Sequence, residues 1–395
     1  MFDLIAAAAL SGDPQLCTRN APRLNAIAAA LERRPTDATL YFWEAATWAD
    51  CRQLAPTLAA LDKVREHGAG FLPIEPVGFT GVWSEPEFQK RRAAFEQALA
   101  QAGLAAPVAF QAVGKDLIPE GVAYDPKTRS LFLGSIAQKK IVRLRDGKQE
   151  TFAAEGLDAV LGLATDPKMR RLYAVSTSVV FPGEGPARNQ VLEFELDSGA
   201  LLRALSAKDA GQLNDVAIAP DGTVYATDSR AGAVYFARVD DTQLKPFLAA
   251  GALGGANGLT LAADQRSLFV AHATGVARVN LSDKAVTPIV NATRETIGAI
   301  DGLYLHRRAL IGVQNAVQPG RVIRITLDDA GAKATAVQTL LSHHHRELNE
   351  PTTGALDGDR FLLLANSFVG AMDDNGKLRP GIVLRDPVIL EISLR

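Results

Sequence analysis

The stretch 214–229 reads NDVAIAPDGTVYATDS: a polar start, a short apolar strand, an Asp-Gly turn and a second apolar strand. The plan recurs as EGVAYDPKTRSLFLGS (120–135), LGLATDPKMRRLYAVS (161–176), NGLTLAADQRSLFVAHA (257–273), DGLYLHRRALIGVQNA (301–316) and EPTTGALDGDRFLLLANS (350–367). A third strand follows each: IVRL (141–144), VLEFEL (191–196), AVYFARV (233–239), VARVNL (276–281), RVIRITL (321–327) and VILEISL (388–394). Residues 108–395 number 288, or 48 per unit. That is the size of a four-stranded blade of ~40–50 residues. The spacing predicts a mainly β domain over 108–395, a six-bladed β-propeller. Val108–Val113 is strand-like and is expected to pair with the last blade and close the ring. Closure leaves only short sheet edges. A β-helix is disfavoured because its repeats are shorter.

Upstream the texture changes. Residues 1–105 are rich in Ala and Leu, and the small-residue segment Gly103–Pro107 marks the boundary. Leu24, Ile27 and Leu31 recur as Leu58, Leu61 and Val64, with steps of three and four that mark amphipathic helices. The offset is 34 residues, kept also by Glu32 and Glu66 and by Cys17 and Cys51. A 34-residue period of helix pairs resembles tetratricopeptide repeats, although most signature positions are missing. A plain helical bundle is the equal alternative. A further helix is expected at about Glu85 to Gln101. A helical domain of this kind is a candidate surface for a protein partner.

The chain of 395 residues is 47% hydrophobic with a formal net charge of −2. This supports a sizeable core and gives no basic footprint for nucleic acid. No apolar run approaches the ~18–20 residues that span a bilayer. The two cysteines, Cys17 and Cys51, cannot form a disulfide framework; a single bond between them stays open. The start MFDLIAAAAL lacks a positive flank and carries Asp3, which argues against a secretory signal. A cytoplasmic location is favoured, and a periplasmic or secreted one follows if the numbering begins at a mature chain.

In a propeller the innermost strand of each blade lines a central channel, so equivalent residues meet at one end of it. The first position of the repeat reads Glu120, Leu161, Asn214, Asn257, Asp301 and Glu350. Five of the six offer oxygen. Carboxylates and amide oxygens gathered on an axis suit a hard cation, and calcium takes six to eight such oxygens. The column has no Cys or His, which disfavours zinc. Asn and Asp also favour turn positions on their own account; four such residues in register favour the site. Gly121, Gly162, Gly258 and Gly302 follow in four blades and let backbones crowd together.

Pro119-Glu120-Gly121, Asn214-Asp215, Asn257-Gly258, Asp301-Gly302 and GRVIR (320–324) together resemble the gluconolactonase/regucalcin (senescence marker protein) superfamily. The resemblance covers about residues 108–395. It implies a six-bladed propeller with a divalent metal, usually calcium, and hydrolysis of a lactone; relatives cleave esters or organophosphates. Carried over by position, it implies Glu120, Asn257 and Asp301 as metal ligands and Asn214 as a ligand or a substrate contact. Asp301 doubles as the candidate base, or as a nucleophile in an ester-cleaving variant. Gln212, Asp215 and Glu350 are the candidates for binding a small-molecule substrate. Gln212 stands where sugar lactonases of this family often carry Arg, which argues against sugar-acid recognition. His272 falls in the column of Asp228 and is a second base, a substrate hydrogen bonder or a structural histidine.

Three further features carry less. His343-His344-His345 is expected to be a solvated connection between blades five and six. FPGEGPAR (181–188) and SFVGAMDDNGKLRPG (367–381) read as loop extensions, the first a possible lid, and Asp373-Asp374 as a turn. The rival to an enzyme is a non-catalytic propeller whose calcium stiffens the ring, joined to a partner-binding helical domain.

Overall fold

The computed structural model describes residues 14–180, 186–373 and 376–395. Most of the loop 181–188, Asp374 and the first thirteen residues therefore lie outside the described residues. Among the described residues four α-helices span Pro14–Arg33, Ala38–Asp50, Leu54–His67 and Pro86–Ala98. The stripe residues Ile27, Leu61 and Val64 are buried, as their spacing requires. Between the last two helices the chain takes a kinked turn, Glu75–Phe79, and a short 3-10 turn, Thr80–Val82. There the helix-pair pattern is interrupted, because Gly78 adopts a left-handed φ of 84°. Phe42, Phe71, Phe79 and Phe88 fill the centre of this unit, with ring centroids 5.3–5.6 Å apart. Cys17 and Cys51 are both free thiols. The compact unit that holds these helices also includes 291–298 and 316–319. Among the described residues no helix is long and apolar enough to cross a membrane.

The second unit is a ring of six antiparallel sheets. Blade one comprises Pro119–Asp125, Ser130–Ser135, Lys140–Arg145 and Lys148–Ala153. Blade two follows with Ala159–Asp166, Arg171–Thr177, Asn189–Glu195 and Leu201–Ser206. Blade three holds Leu213–Ile218, Val224–Asp228, Ala233–Ala237 and Lys245–Leu248, and blade four Leu259–Leu261, Ser267–His272, Gly275–Asn280 and Val286–Pro288. Blade five is built from Ile300–His306, Ala309–Gln314, Arg321–Leu327 and Lys333–Leu341, with Val290–Asn291 on its outer edge. Blade six joins Gly354–Asp357, Arg360–Leu364 and Val388–Ser393 to Val108–Gln111 from the start of the domain. Val108 pairs with Leu390 and Gln111 with Val388, so the ring is closed by the segment that the sequence proposes for it.

Burial follows position in the blade. The innermost strand Pro119–Asp125 is buried throughout, whereas the outer strand Lys148–Ala153 is mostly exposed. Packing between blades completes the core: Phe132, Ile141 and Phe152 of blade one share a cluster with Leu172, Leu192 and Phe194 of blade two.

Candidate functional site

The inner strands do not start regularly. A register shift falls between Pro119 and Gly121, between Val160 and Leu163, between Leu213 and Val216, and between Ile300 and Leu303. Bulges of this kind re-aim side chains, and here they hold Glu120, Leu161, Asn214 and Asp301. The glycines beside them permit contact between blades. A Cβ on Gly121 would strike the Leu161 carbonyl, one on Gly162 the Asp215 carboxylate, and one on Gly258 the Asp301 carbonyl. The Gly258 amide donates to the Asp301 carbonyl (2.7 Å) and the Gly302 amide to the Thr352 carbonyl (3.1 Å). The hydroxyls of Thr352 and Thr353 donate to the Glu120 carbonyl, Thr352 at 2.9 Å.

This ladder corrects the sixth member of the column. Gly258 and Gly302 occupy equivalent positions, so Asp301 and Thr352 do as well. Glu350 stands two residues too early. Its φ of 58° matches the left-handed backbone of Ile118 (42°) and Ala299 (51°), each two residues ahead of a column residue. Left-handed φ is costly for a β-branched residue such as Ile118. Three column entries thus share a strained backbone two residues ahead of the column.

The structure brings Glu120, Asn214, Asn257 and Asp301 to one end of the channel. Glu120 and Asn214 are buried, and Glu120 Oε2 and Asn214 Oδ1 have no hydrogen-bond partner. An unpaired buried oxygen costs about 1–3 kcal/mol. Asp301 Oδ2 accepts from Asn315 Nδ2 at 2.6 Å, and the Asn257 side chain also bonds its carboxylate. Burial, then the charges of Asp301 and Asp215, pushes the Glu120 carboxyl well above its usual range. Burial raises Asp301 to about 6 against the opposing bonds from Asn315 and Asn257. Two buried like charges cannot both ionise cheaply. An all-oxygen set with orphaned acceptors fits a hard divalent cation.

The remaining candidates lie elsewhere or do other work. Glu350 reaches the site from its left-handed turn; both its oxygens accept from the Gly370 amide (2.8 and 2.9 Å), and burial lifts its carboxyl to about 7. Asp215 accepts from the Val216 and Leu259 amides, and burial raises it to about 7. It lines a cavity of about 260 Å³ with Tyr304, Val122, Leu163 and Leu259, on the far side of the glycine level. Gln212 is half-buried, and its main-chain N–H donates to Asp228 Oδ1 at 2.9 Å. His272 ends its strand half-buried, with Nδ1 3.4 Å from the Thr274 amide. His343 and His344 are half-buried, and His345 is buried with its ring engaging the Ala106 carbonyl (3.2 Å) and the Glu347 amide (3.2 Å). The tract is therefore packed, not solvated, because the His345 ring serves the backbone around it. Asn315, Tyr304, Thr352 and Thr353 escape the sequence reading. Only Asn315, a polar residue just after a regular strand, leaves a trace there.

Ring and axial site together define a six-bladed propeller with a polar centre at one channel end. Residues 118–339, more than half of the chain, match the SMP-30/Gluconolactonase/LRE-like region family. The chain belongs to that family. No curated protein sequence matches it. Among solved structures it is similar to an oxidoreductase (glucose dehydrogenase) from Thermus thermophilus, at 17% identity and TM-score 0.50, covering 73% of this chain and 100% of that one. It is similar to the PQQ-bound aldose sugar dehydrogenase from Streptomyces coelicolor, at 16% identity and TM-score 0.50, covering 73% and 97%. A gluconolactonase from Xanthomonas campestris aligns at 15% identity and TM-score 0.48, covering 74% and 99%. At these identities the likeness is one of fold.

Proposed function

We propose that this chain is a calcium-dependent, or other divalent-cation-dependent, hydrolase of a lactone or related ester. Glu120, Asn214, Asn257 and Asp301 would hold the cation. The observation that carries this reading is the pair of buried acceptors, Glu120 Oε2 and Asn214 Oδ1, left without partners at a site of carboxylates and amides. When bound, a divalent cation polarises a carbonyl and lowers the pKa of water.

The protein supplies the rest. Asp301 accepts a proton from the attacking water as general base, its orientation set by Asn315 and Asn257. Glu350, anchored on the Gly370 amide, offers a carboxylate to a substrate hydroxyl. Gln212 offers a neutral amide, which favours an uncharged substrate group over a sugar acid. Asp215 has its oxygens turned to backbone amides and shapes the strand starts.

Metal analysis with a panel of lactones and aryl esters tests this, on wild type and Asp301→Asn. The expected result is bound calcium and turnover of one class, with kcat reduced ~10²–10⁴-fold in the variant. Tight calcium binding with no turnover in any metal would leave the ion a structural role, with the helical unit as the partner-binding part. Absence of any stabilising divalent cation would overturn both.

A further inference from the structure

Asn315 stands immediately beyond the pairing of Ile300 with Gln314. Its side-chain amide donates twice: to Asp301 Oδ2 at 2.6 Å and to the Pro351 carbonyl at 3.0 Å. Both amide hydrogens are thereby used. One bond fixes an oxygen of the blade-five carboxylate, and the other ties it to the main chain entering blade six. The second anchor is rigid. Pro351 follows the left-handed Glu350, and Gly320 abuts the Pro351 ring so closely that a Cβ there would clash. An asparagine serving only its own turn would bond its own neighbours; this one reaches 14 residues back and 36 forward.

We propose that Asn315 is a positioning residue for Asp301, holding its carboxylate plane in the orientation that the cation and the attacking water require. This rests on the reading of Asp301 as ligand and base. Partners of this kind set ligand orientation, and losing one typically costs 10–100-fold in metal affinity or activity.

The test uses the full chain with Asn315→Leu, close in size but without a donor, and Asn315→Ser, too short to span both acceptors. Calorimetry with calcium should show affinity weakened ~10–100-fold, while the melting temperature without calcium stays within a few degrees. With a turned-over substrate, kcat should fall with KM little changed. Wild-type affinity and kcat in a folded variant would overturn the proposal, and Asn315→Ser decides if the Leu variant does not fold. Should wild type bind no calcium, the proposed function falls and the positioning role is read without metal. Amide exchange at Gly258 and Gly302 should then rise ~10-fold in the variants, and unchanged exchange would overturn it.

Discussion

The same six inner strands make two different channel ends. At one end stand Glu120, Asn214, Asn257 and Asp301, with orphaned oxygens and carboxyls raised by burial. At the other, Val122, Leu163, Leu259 and Leu303 line a cavity of mixed polarity together with Asp215 and Tyr304. Between them lies the level where Gly121, Gly162 and Gly258 press against the next blade. Three residues along each strand thus separate chemistry from packing. The ring is a repeated backbone ladder; above it the strand starts are polar, and below it Asp215, Tyr304 and two threonines interrupt an apolar lining.

The sharpest way to break this division is to fill the glycine level. Gly258→Ala would drive a Cβ into the Asp301 carbonyl and the Leu303 amide, both main-chain atoms that cannot swing aside. The expected cost exceeds ~3 kcal/mol, at the top of the range for overpacking, with loss of calcium binding. Gly254→Ala is the control, because a Cβ there meets nothing within 4 Å; it should stay within ~0.5 kcal/mol. Urea melts of both variants read the difference. Equal stabilities would mean that the strand starts can separate without cost.

The polar end should also make the metal-free protein pH-sensitive. Asp301 is raised to about 6 and Asp215 and Glu350 to about 7, by burial first in each case, and burial likewise raises Glu120 well above the usual carboxyl range. A carboxyl with a raised folded pKa keeps its proton in the native state after the unfolded chain has lost it. Its contribution is complete below the unfolded pKa of ~4 and is lost as pH rises through the folded value. Glu120→Gln removes one such group. In chelator it should be more stable than wild type by ~1–3 kcal/mol at pH 7.5, with the gap closing towards pH 4. On the proposed calcium site, calcium should reverse the order, since only wild type keeps the Glu120 carboxylate. A gap that does not change with pH would remove the carboxylate cluster as a source of strain.

Much of this was legible in the residues alone. Repeat spacing marked out the blades and the closing strand, because turn residues and apolar runs recur with each blade. Asn214, Asn257 and Asp301 stood out as polar residues where packing wants apolar ones. Blade six misled for a physical reason: its inner strand is paired only from Gly354 onward, so Thr352 lies ahead of the alternation that would fix register. Glu350-Pro351-Thr352 then reads like Pro119-Glu120-Gly121 shifted, and Glu350 is taken for Thr352. Tyr304 and the role of Asn315 were hidden because they rest on contacts across the ring, which no local pattern carries.

Blades three and four offer the finest version of the comparison, at the position of Asp228 and His272. The Asp228 carboxylate accepts from the Gly211, Gln212 and Ala231 amides at 2.6, 2.9 and 2.8 Å. It pins the loop that leads into Asn214. In blade four the loop leading into Asn257 carries Gly254 and Gly255, and His272 turns to Thr274 at 3.4–3.5 Å. Those distances suit a ring resting against its own turn better than a base held for proton transfer. His272→Ala is therefore expected to change kcat by less than ~3-fold, whereas loss of a true general base costs ~10²–10⁴-fold. Asp228→Ala should cost ~2 kcal/mol of stability by orphaning buried amides. A large kcat loss in His272→Ala with calcium affinity intact would move the histidine into the reaction and make blade four, not blade five alone, a source of proton transfer.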